Sequence, residues 1–133
     1  MLAFMLDTNI CIYVLKNRPP ALREKFDSVR ASICLSAITL AELYFGAENS
    51  ERVKANLEGV ERFTGGIPVL PFDAEAAAHF GQLRAYLRRK GTPVSTQDIL
   101  IGAHARSEGL TLVTNNRREF DRMPGLRVEN WVG

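Results

Sequence analysis

The sequence predicts a single α/β domain in which a parallel β-sheet of about five strands is flanked by α-helices. Two observations predict this fold. Short apolar runs alternate along the whole chain with longer segments of helical periodicity. In addition, 133 residues are enough to bury one hydrophobic core without disulfides or structural metals. We therefore treat residues 1–133 as one domain.

The predicted strands are four short apolar runs and a fifth run near the C-terminus. They are residues 2–6, 33–35, 67–70, 111–113 and 126–128. Between them, six segments have helical periodicity: residues 9–16, 20–29, 39–47, 50–63, 74–90 and 97–108. Strands separated by helices pair in parallel. Trp131 follows the last strand, and we expect it to cover an edge of the sheet or to contact a partner.

The boundary of the longest helix carries clear sequence signals. Asp73 is a typical N-cap, and Gly91 is a typical helix end. Apolar residues between them recur at spacings of three and four, which places them on one buried face: Ala76, Phe80, Leu83 and Leu87.

Composition limits the class of protein. No apolar run approaches the ~18 residues that a membrane span needs, and the first apolar run ends at Asp7 without the features of a secretory signal, so we expect a cytoplasmic protein. A net charge of +2 is too small for a protein that coats nucleic acid without specificity. Cys11 and Cys34 lie in apolar runs and are predicted to be buried thiols, and His79 and His104 have packing or capping roles.

Three carboxylates stand where strands end or helices begin. They are Asp7 after the first strand, Glu42 shortly after the second, and Asp98 at the start of the last long helix. Each could simply cap a helix, because residues 39–42 and 95–98 both match the capping-box pattern. Jointly, however, they fall at what should be one edge of a parallel sheet, where ligands bind. The sequence therefore predicts that they form one catalytic and metal-binding site.

A cluster of three carboxylates favours a hard divalent cation, because crowded like charges oppose one another's ionisation. Mg²⁺ binds through one or two carboxylates, waters and substrate phosphates. Such an ion activates water and stabilises charge on phosphoryl oxygens, and a second ion can hold the leaving oxygen. We therefore expect metal-dependent hydrolysis of phosphodiester bonds.

Further residues are auxiliary candidates. Asn116 follows the fourth strand and could bind the metal weakly or position water. Asn9 lies two residues after Asp7. Glu119 could act through a water, or could be a surface acid paired with Arg122.

The candidates for contacting the backbone of a phosphodiester substrate, which would be RNA if the resemblance described below holds, are two pairs of arginines. Arg117 and Arg118 should lie next to the crevice and contact phosphates. Arg84 and Arg88 could form a phosphate track, or could be a solvated face that complements the helix dipole. Among the aromatic residues we expect Phe45 to lie in the core and leave Tyr13 and Tyr44 open between packing and binding.

With these residues in view, the chain resembles the PIN-domain ribonucleases, and specifically the VapC toxins of bacterial type II toxin–antitoxin pairs. The resemblance covers nearly the whole chain. Its matching stretches are residues 4–9 (FMLDTN), 36–43 (SAITLAEL), 91–94 (GTPV) leading to Asp98, and 113–120 (VTNNRREF).

The resemblance implies that Asp7, Glu42 and Asp98 bind Mg²⁺ or Mn²⁺ and that the protein cleaves RNA, with transfer RNA as the favoured class. Many PIN domains have a fourth acid where this chain has Asn116, so mechanisms with one metal and with two both stay open. The resemblance also implies a homodimer and a cognate VapB-type antitoxin whose C-terminal segment crosses and blocks the active-site groove.

Two other readings compete with a nuclease. A phospho-accepting receiver domain also has a parallel sheet and an acidic pocket, but it needs a lysine after a late strand, and this chain has none beyond Lys90. A catalytically inert PIN-scaffold binding module would not need all three acids. Both readings are therefore weaker than the nuclease.

Overall fold

A five-stranded parallel sheet forms the centre of the molecule, as predicted. The structure is a computed structural model that describes residues 1–132. The strands are β1 (Phe4–Leu6), β2 (Ile33–Ser36), β3 (Val69–Leu70), β4 (Thr111–Val113) and β5 (Val128–Glu129). They pair in the order β3-β2-β1-β4-β5, and all four pairings are parallel.

Helices connect the strands and cover the sheet. They are α1 (Thr8–Leu15), α2 (Pro20–Ser28), α3 (Ala37–Glu48), α4 (Val53–Thr64), α5 (Ala74–Lys90), α6 (Thr96–Ser107) and α7 (Arg117–Phe120), with a 3-10 turn at Arg30–Ser32 before β2. The six predicted helices are all present. The sequence analysis did not predict α7, because a helix of one turn is too short to show a periodicity.

The core lies on both faces of the sheet, and alternation along the strands divides it. Leu6 and Leu35 face a cluster built with α1, α2, α3 and α4, which contains Ile10, Val14, Leu22, Phe26 and Phe63. Met5 and Cys34, one position away, face a second cluster built with α5 and α6, which contains Leu83, Leu87, Ile99 and Phe120. Burial on both faces explains why the strands read as continuous apolar runs.

The predicted start of α3 needs a correction. Ser36 is the N-cap of this helix, and its Oγ accepts a hydrogen bond from the backbone N–H of Ile38 (3.1 Å). Thr39 therefore lies inside the helix, and the predicted capping box between Thr39 and Glu42 is wrong. The reason is that Ser36, three residues earlier, is an equally good cap. The predicted N-cap of α5 is confirmed, since Asp73 accepts a hydrogen bond from the N–H of Ala76 (3.0 Å).

Two aromatic residues also differ from the expectation. Phe45 is 69% exposed, so the prediction that it lies in the core is wrong. The buried stripe of α3 consists of Thr39, Leu43 and Ala47, and Phe45 lies on the opposite side of the helix. Trp131 packs edge-on against Phe4 (5.1 Å between ring centroids), so it covers the central strand rather than an edge.

Both cysteines are buried, as predicted. Within residues 1–132, no helix combines the length and the apolar character needed to cross a membrane.

The strand order places a crevice at the carboxyl end of β1. The chain moves outward from β1 to β2 and β3, and then returns to place β4 and β5 on the other side of β1. The crossover connections therefore leave in opposite directions from β1 and β4. In open parallel sheets, ligands bind outside the carboxyl ends of the strands at such a switch point. The residues that follow β1 and β4 are thus placed for function.

Candidate active site

Asp7 is the most buried of the three predicted acids. It follows β1 directly, is only 5% exposed, and caps α1 by accepting a hydrogen bond from the N–H of Ile10 (2.8 Å). Burial raises the pKa of its carboxyl to about 6, against the lowering effect of hydrogen bonds from Thr114 and Ile10. The negative charges of Asp98 and Glu42 raise it further. Asp7 therefore caps α1, and its charged form is disfavoured by burial. The capping role and a catalytic role are compatible in this residue.

Glu42 approaches from the middle of α3. Its Oε1 accepts a hydrogen bond of 2.5 Å from the hydroxyl of Thr8, the first residue of α1. This bond joins segments that are 34 residues apart in the sequence. It fixes the carboxylate of Glu42 next to the end of β1, where Asp7 lies.

Asp98 lies in the first turn of α6 and is half-buried. Its backbone N–H donates to the Oγ of Ser95, the N-cap of the helix (3.2 Å). Burial raises the pKa of the Asp98 carboxyl, a hydrogen bond with Ser95 lowers it, and the charges of Glu119 and Glu42 raise it. Carboxylates on two other helices, α3 and α7, therefore raise the pKa of Asp98.

The three acids line one small pocket. Its volume is about 130 Å³, and its walls are Asp7, Thr8, Asn9, Glu42, Asp98 and Ile101. Because a water molecule takes about 30 Å³ of liquid, the pocket has room for roughly four waters or a partly hydrated ion. The structure thus brings together the three acids that the sequence analysis selected, and Asn9 with them.

The donor set of this pocket fits a hard divalent cation. Three carboxylates from three elements meet there, and their mutual repulsion is part of what raises the pKa of Asp7. Within residues 1–132, no three His, Cys, Asp or Glu side chains already stand at the spacing that encloses a metal. Mg²⁺ does not need such an enclosure, because it keeps several of its waters and takes only one or two carboxylates directly.

Two threonines complete the site, and the sequence analysis gave neither of them a role. Thr8 orients Glu42, and the fully buried Thr114 hydrogen-bonds to Asp7 and also accepts the backbone N–H of Asn116 (2.9 Å). Thr114 follows β4 directly, and Thr8 is the second residue after β1. A hydroxyl at the carboxyl end of a strand, one residue from a crevice, is the signal that could have identified them.

The auxiliary candidates have different positions. Asn116 lies in the turn after β4, and its N–H donates to Thr114. Glu119, on α7, has an Oε2 only 3.7 Å from Arg122 Nη1, as the surface-pair alternative predicts. Glu119 nevertheless raises the pKa of Asp98, so its charge also reaches the pocket.

The arginines proposed for RNA binding are at the surface. Arg117 forms an ion pair with Asp121 (3.3 Å), and Arg118 is exposed on the same short helix. Arg84 stacks over the ring of Phe80 (5.8 Å), and Arg88 is exposed one turn further along α5. Their side chains are available for contact with phosphates.

A larger groove of about 800 Å³ opens beside the acid pocket, between α1, α2, α3 and α4. Glu42 lines both the groove and the pocket. Four cationic side chains also line the groove, namely Lys16, Arg23, Arg30 and Arg62. Sequence reasoning missed this set, because its members come from the end of α1, from α2, from the 3-10 turn and from α4, which meet only in the folded protein.

Tyr13 contacts the turn that follows β4. Its hydroxyl accepts a hydrogen bond from Nδ2 of Asn115 (3.1 Å), which links α1 to the turn after β4. Tyr13 therefore braces the crevice, whereas Tyr44 is 38% exposed on α3 beside Phe45.

Comparison with known proteins identifies relatives over the whole length of the chain. The PIN domain family model matches residues 4–126. The tRNA(fMet)-specific endonuclease VapC of Shigella flexneri is 53% identical over 131 residues, which is 98% of this chain and 99% of the relative. Ribonuclease VapC2 of Haemophilus influenzae is 49% identical over 132 residues, which is 99% of this chain and 100% of the relative.

A solved structure is also similar to this chain, both in sequence and in fold. The crystal structure of DNA-bound VapBC from Salmonella typhimurium contains a chain that is 53% identical and superposes with a TM-score of 0.94, covering 98% of this chain and 99% of that one.

Proposed function

The chain belongs to the VapC family of PIN-domain proteins, and from that premise we propose that it is the toxin of a type II toxin–antitoxin pair, acting as an endoribonuclease. The observation that carries this proposal is the pocket at the β1 and β4 switch point, which Asp7, Glu42 and Asp98 line together. Relatives named as endonuclease and ribonuclease support the reaction class.

We assign Asp7, Glu42 and Asp98 as the catalytic and metal-binding residues for Mg²⁺ or Mn²⁺. Three converging carboxylates and a pocket with room for bound water support this assignment. The ion, when bound, activates a water for attack on phosphorus and stabilises the charge that develops on the phosphoryl oxygens.

The other residues of the site hold these acids in place. Thr114 and the N–H of Ile10 hold the carboxylate of Asp7, and Thr8 holds that of Glu42. The N-cap Ser95 holds Asp98 in the first turn of α6, where burial raises the pKa of its carboxyl.

Glu119 is the stronger of the two candidates for a fourth acidic position. Asn116 carries no charge, whereas the charge of Glu119 acts on Asp98 from α7. We therefore assign Glu119 an auxiliary role through water, with its Arg122 contact as a surface tether.

We propose transfer RNA as the substrate, and initiator tRNA as the first one to test, because a relative that is 53% identical is named for tRNA(fMet). This proposal places the protein in the cytoplasm, where tRNA is present. Specificity would come from the shape of a loop and from unstacked bases. Arg84, Arg88, Arg117 and Arg118 are the candidates for contacting the RNA backbone.

We further propose a cognate VapB-type antitoxin that inhibits this chain, since the Salmonella neighbour is a VapBC complex. A homodimeric toxin is part of the same proposal and rests on the family resemblance alone. The groove next to the acid pocket fits an antitoxin segment. Its apolar residues include Ile12, Leu43 and Phe63, while the cationic side chains suit an amphipathic acidic peptide. A segment in this groove would reach Glu42 and block the site.

The test uses purified protein freed of antitoxin, incubated with total bacterial tRNA in Mg²⁺ or Mn²⁺, and maps new RNA ends. We expect discrete cuts that disappear with EDTA and in Asp7→Asn and Asp98→Asn. Asp73→Asn is the matched control, because Asp73 also caps a helix but lies outside the pocket. Unimpaired cleavage by both Asp7→Asn and Asp98→Asn would overturn the assigned site. Absence of cleavage with every metal would instead favour the inert binding module.

A further inference from the structure

A buried histidine links the two helices that carry Glu42 and Asp98. His104, on α6, is fully buried, and its Nδ1 lies 2.7 Å from the Oγ of Ser36. Ser36 is the N-cap of α3 and is fully buried as well. The bond therefore joins two elements that are 68 residues apart in the sequence, at a point that solvent does not reach.

The protonation of this pair follows from its other contacts. Ser36 Oγ already accepts the N–H of Ile38, so its hydroxyl hydrogen is free to be donated to Nδ1 of His104. The imidazole then carries its own proton on Nε2. Nε2 is buried and has no hydrogen-bond partner in the described part of the chain, while a backbone contact with Pro71 opposes the lowering of the His104 pKa by burial. The ring also packs edge-on against Phe72 (5.4 Å between centroids).

The spacing of residues along α3 and α6 connects this bond to the acid pocket. Glu42 follows Ser36 by six residues, and Asp98 precedes His104 by six residues. At 1.5 Å per residue, each acid lies about 9 Å along its helix from the buried pair. Along both helices, the hydrogen-bonded residue and the acid of the pocket are therefore less than two turns apart.

We propose that His104 is a positioning residue that sets the separation of Glu42 and Asp98 through its hydrogen bond to Ser36. This inference rests on the metal site assigned under the proposed function. Helix α6 packs mainly on α5 and has less contact with α3, so the buried hydrogen bond is a specific polar link between α6 and the start of α3, beside the apolar contact of Ile38. A shift of a fraction of an ångström at the ligands is enough to weaken a metal site.

Direct binding of Mn²⁺, followed by the magnetic resonance signal of the free ion, tests this role without RNA. We expect His104→Leu to raise the dissociation constant for Mn²⁺ about tenfold, the lower end of what outer residues of metal sites contribute. His104→Asn can place an oxygen near the position of Nδ1 and should stay within about twofold of the native protein. Ser36→Ala removes the other partner and also the N-cap of α3, so it should weaken Mn²⁺ binding at least as much as His104→Leu, which gives a second test if His104→Leu fails to fold.

The control is Leu83→Ala, which opens a cavity on α5 in the core that packs against α6. If this variant weakens Mn²⁺ binding as much as His104→Leu, general loosening of the core explains the effect and the inference is overturned. Normal Mn²⁺ binding by both His104→Leu and Ser36→Ala would overturn it as well. Asp98→Asn distinguishes a failure of the metal site from a failure of the positioning role of His104. If the native protein binds no more Mn²⁺ than Asp98→Asn does, the assigned metal site itself is wrong.

Discussion

Thr8 donates a 2.5 Å hydrogen bond to the carboxylate of Glu42, although the two residues belong to different helices. The bond crosses the mouth of the acid pocket, which both residues line. It leaves the other carboxylate oxygen of Glu42 available for a ligand. A hydroxyl in this place orients an acid without adding charge.

Removing this hydroxyl should lower turnover more than stability. We expect Thr8→Val to reduce kcat for tRNA cleavage by about 10- to 100-fold, since partners that orient metal ligands have effects of this size. Thr8→Ser keeps the hydroxyl and should retain most of the activity. Single-turnover cleavage assays at saturating Mn²⁺ would measure both variants, and equal rates for Thr8→Val and Thr8→Ser would show that the hydrogen bond has no part in catalysis.

Asp7 should limit the stability of the metal-free protein at neutral pH. Its pKa rises from 3.8 to about 6 on folding, so the native state disfavours the charged form. The contribution of this group to stability is therefore fully present below pH 3.8 and is lost as the pH rises through about 6. A difference of roughly two pKa units corresponds to at most about 3 kcal/mol.

Asp7→Asn should accordingly be more stable than the native protein at pH 8 in EDTA, by up to about 3 kcal/mol, and the gain should disappear near pH 4. An asparagine can still cap α1 through its side-chain oxygen. Urea unfolding at several pH values would measure the difference, with the exposed cap variant Asp73→Asn as the comparison. If Asp7→Asn were less stable at pH 8, the burial cost of the charge would be smaller than its capping value.

Divalent metal should stabilise the protein in the same pH range in which the charge of Asp7 is costly. A cation that binds the ionised carboxylates of the native state adds stability that grows with the logarithm of its concentration relative to its dissociation constant. We expect Mn²⁺ to raise the Tm clearly at pH 7.5 and much less at pH 5, where Asp7, with a pKa of about 6, is mostly protonated. Thermal unfolding with and without EDTA would measure this. An equal shift at both pH values would place the ion away from Asp7.

The sequence predicts the sheet and the acid trio well for a physical reason. Strands buried on both faces give continuous apolar runs, and the polar residue that ends such a run must lie at the sheet edge. Asp7 could be placed in this way, whereas Asp98 was placed by the start of a helical pattern. Glu42 needed the further step of assuming that α3 follows β2 closely, which the cap at Ser36 provides.

The rest of the site depends on contacts between distant segments. The bond from Thr8 to Glu42 and the one between Ser36 and His104 each join residues more than thirty positions apart, and local periodicity carries no information about them. The cationic groove has the same origin. His104 illustrates the limit well, because the sequence shows a histidine on an apolar helix face but not the hydroxyl it meets.

Phe45 shows where reasoning from residue type fails, and it supports a direct test. A phenylalanine on a helix usually lies in the core, but here the stripe of Thr39, Leu43 and Ala47 already faces the sheet. Phe45→Ser should therefore change the free energy of unfolding by less than about 0.5 kcal/mol. Phe26, only 1% exposed, is the matched control, and Phe26→Ala should cost about 3–5 kcal/mol.

Urea unfolding of both variants, each as the isolated toxin, would measure these values. A large loss of stability in Phe45→Ser would mean that this ring is covered, either by a second copy of the chain or by a different packing of α3. Repeating the measurement over a tenfold range of protein concentration separates these two causes, because only a loss that comes from a dimer contact depends on concentration.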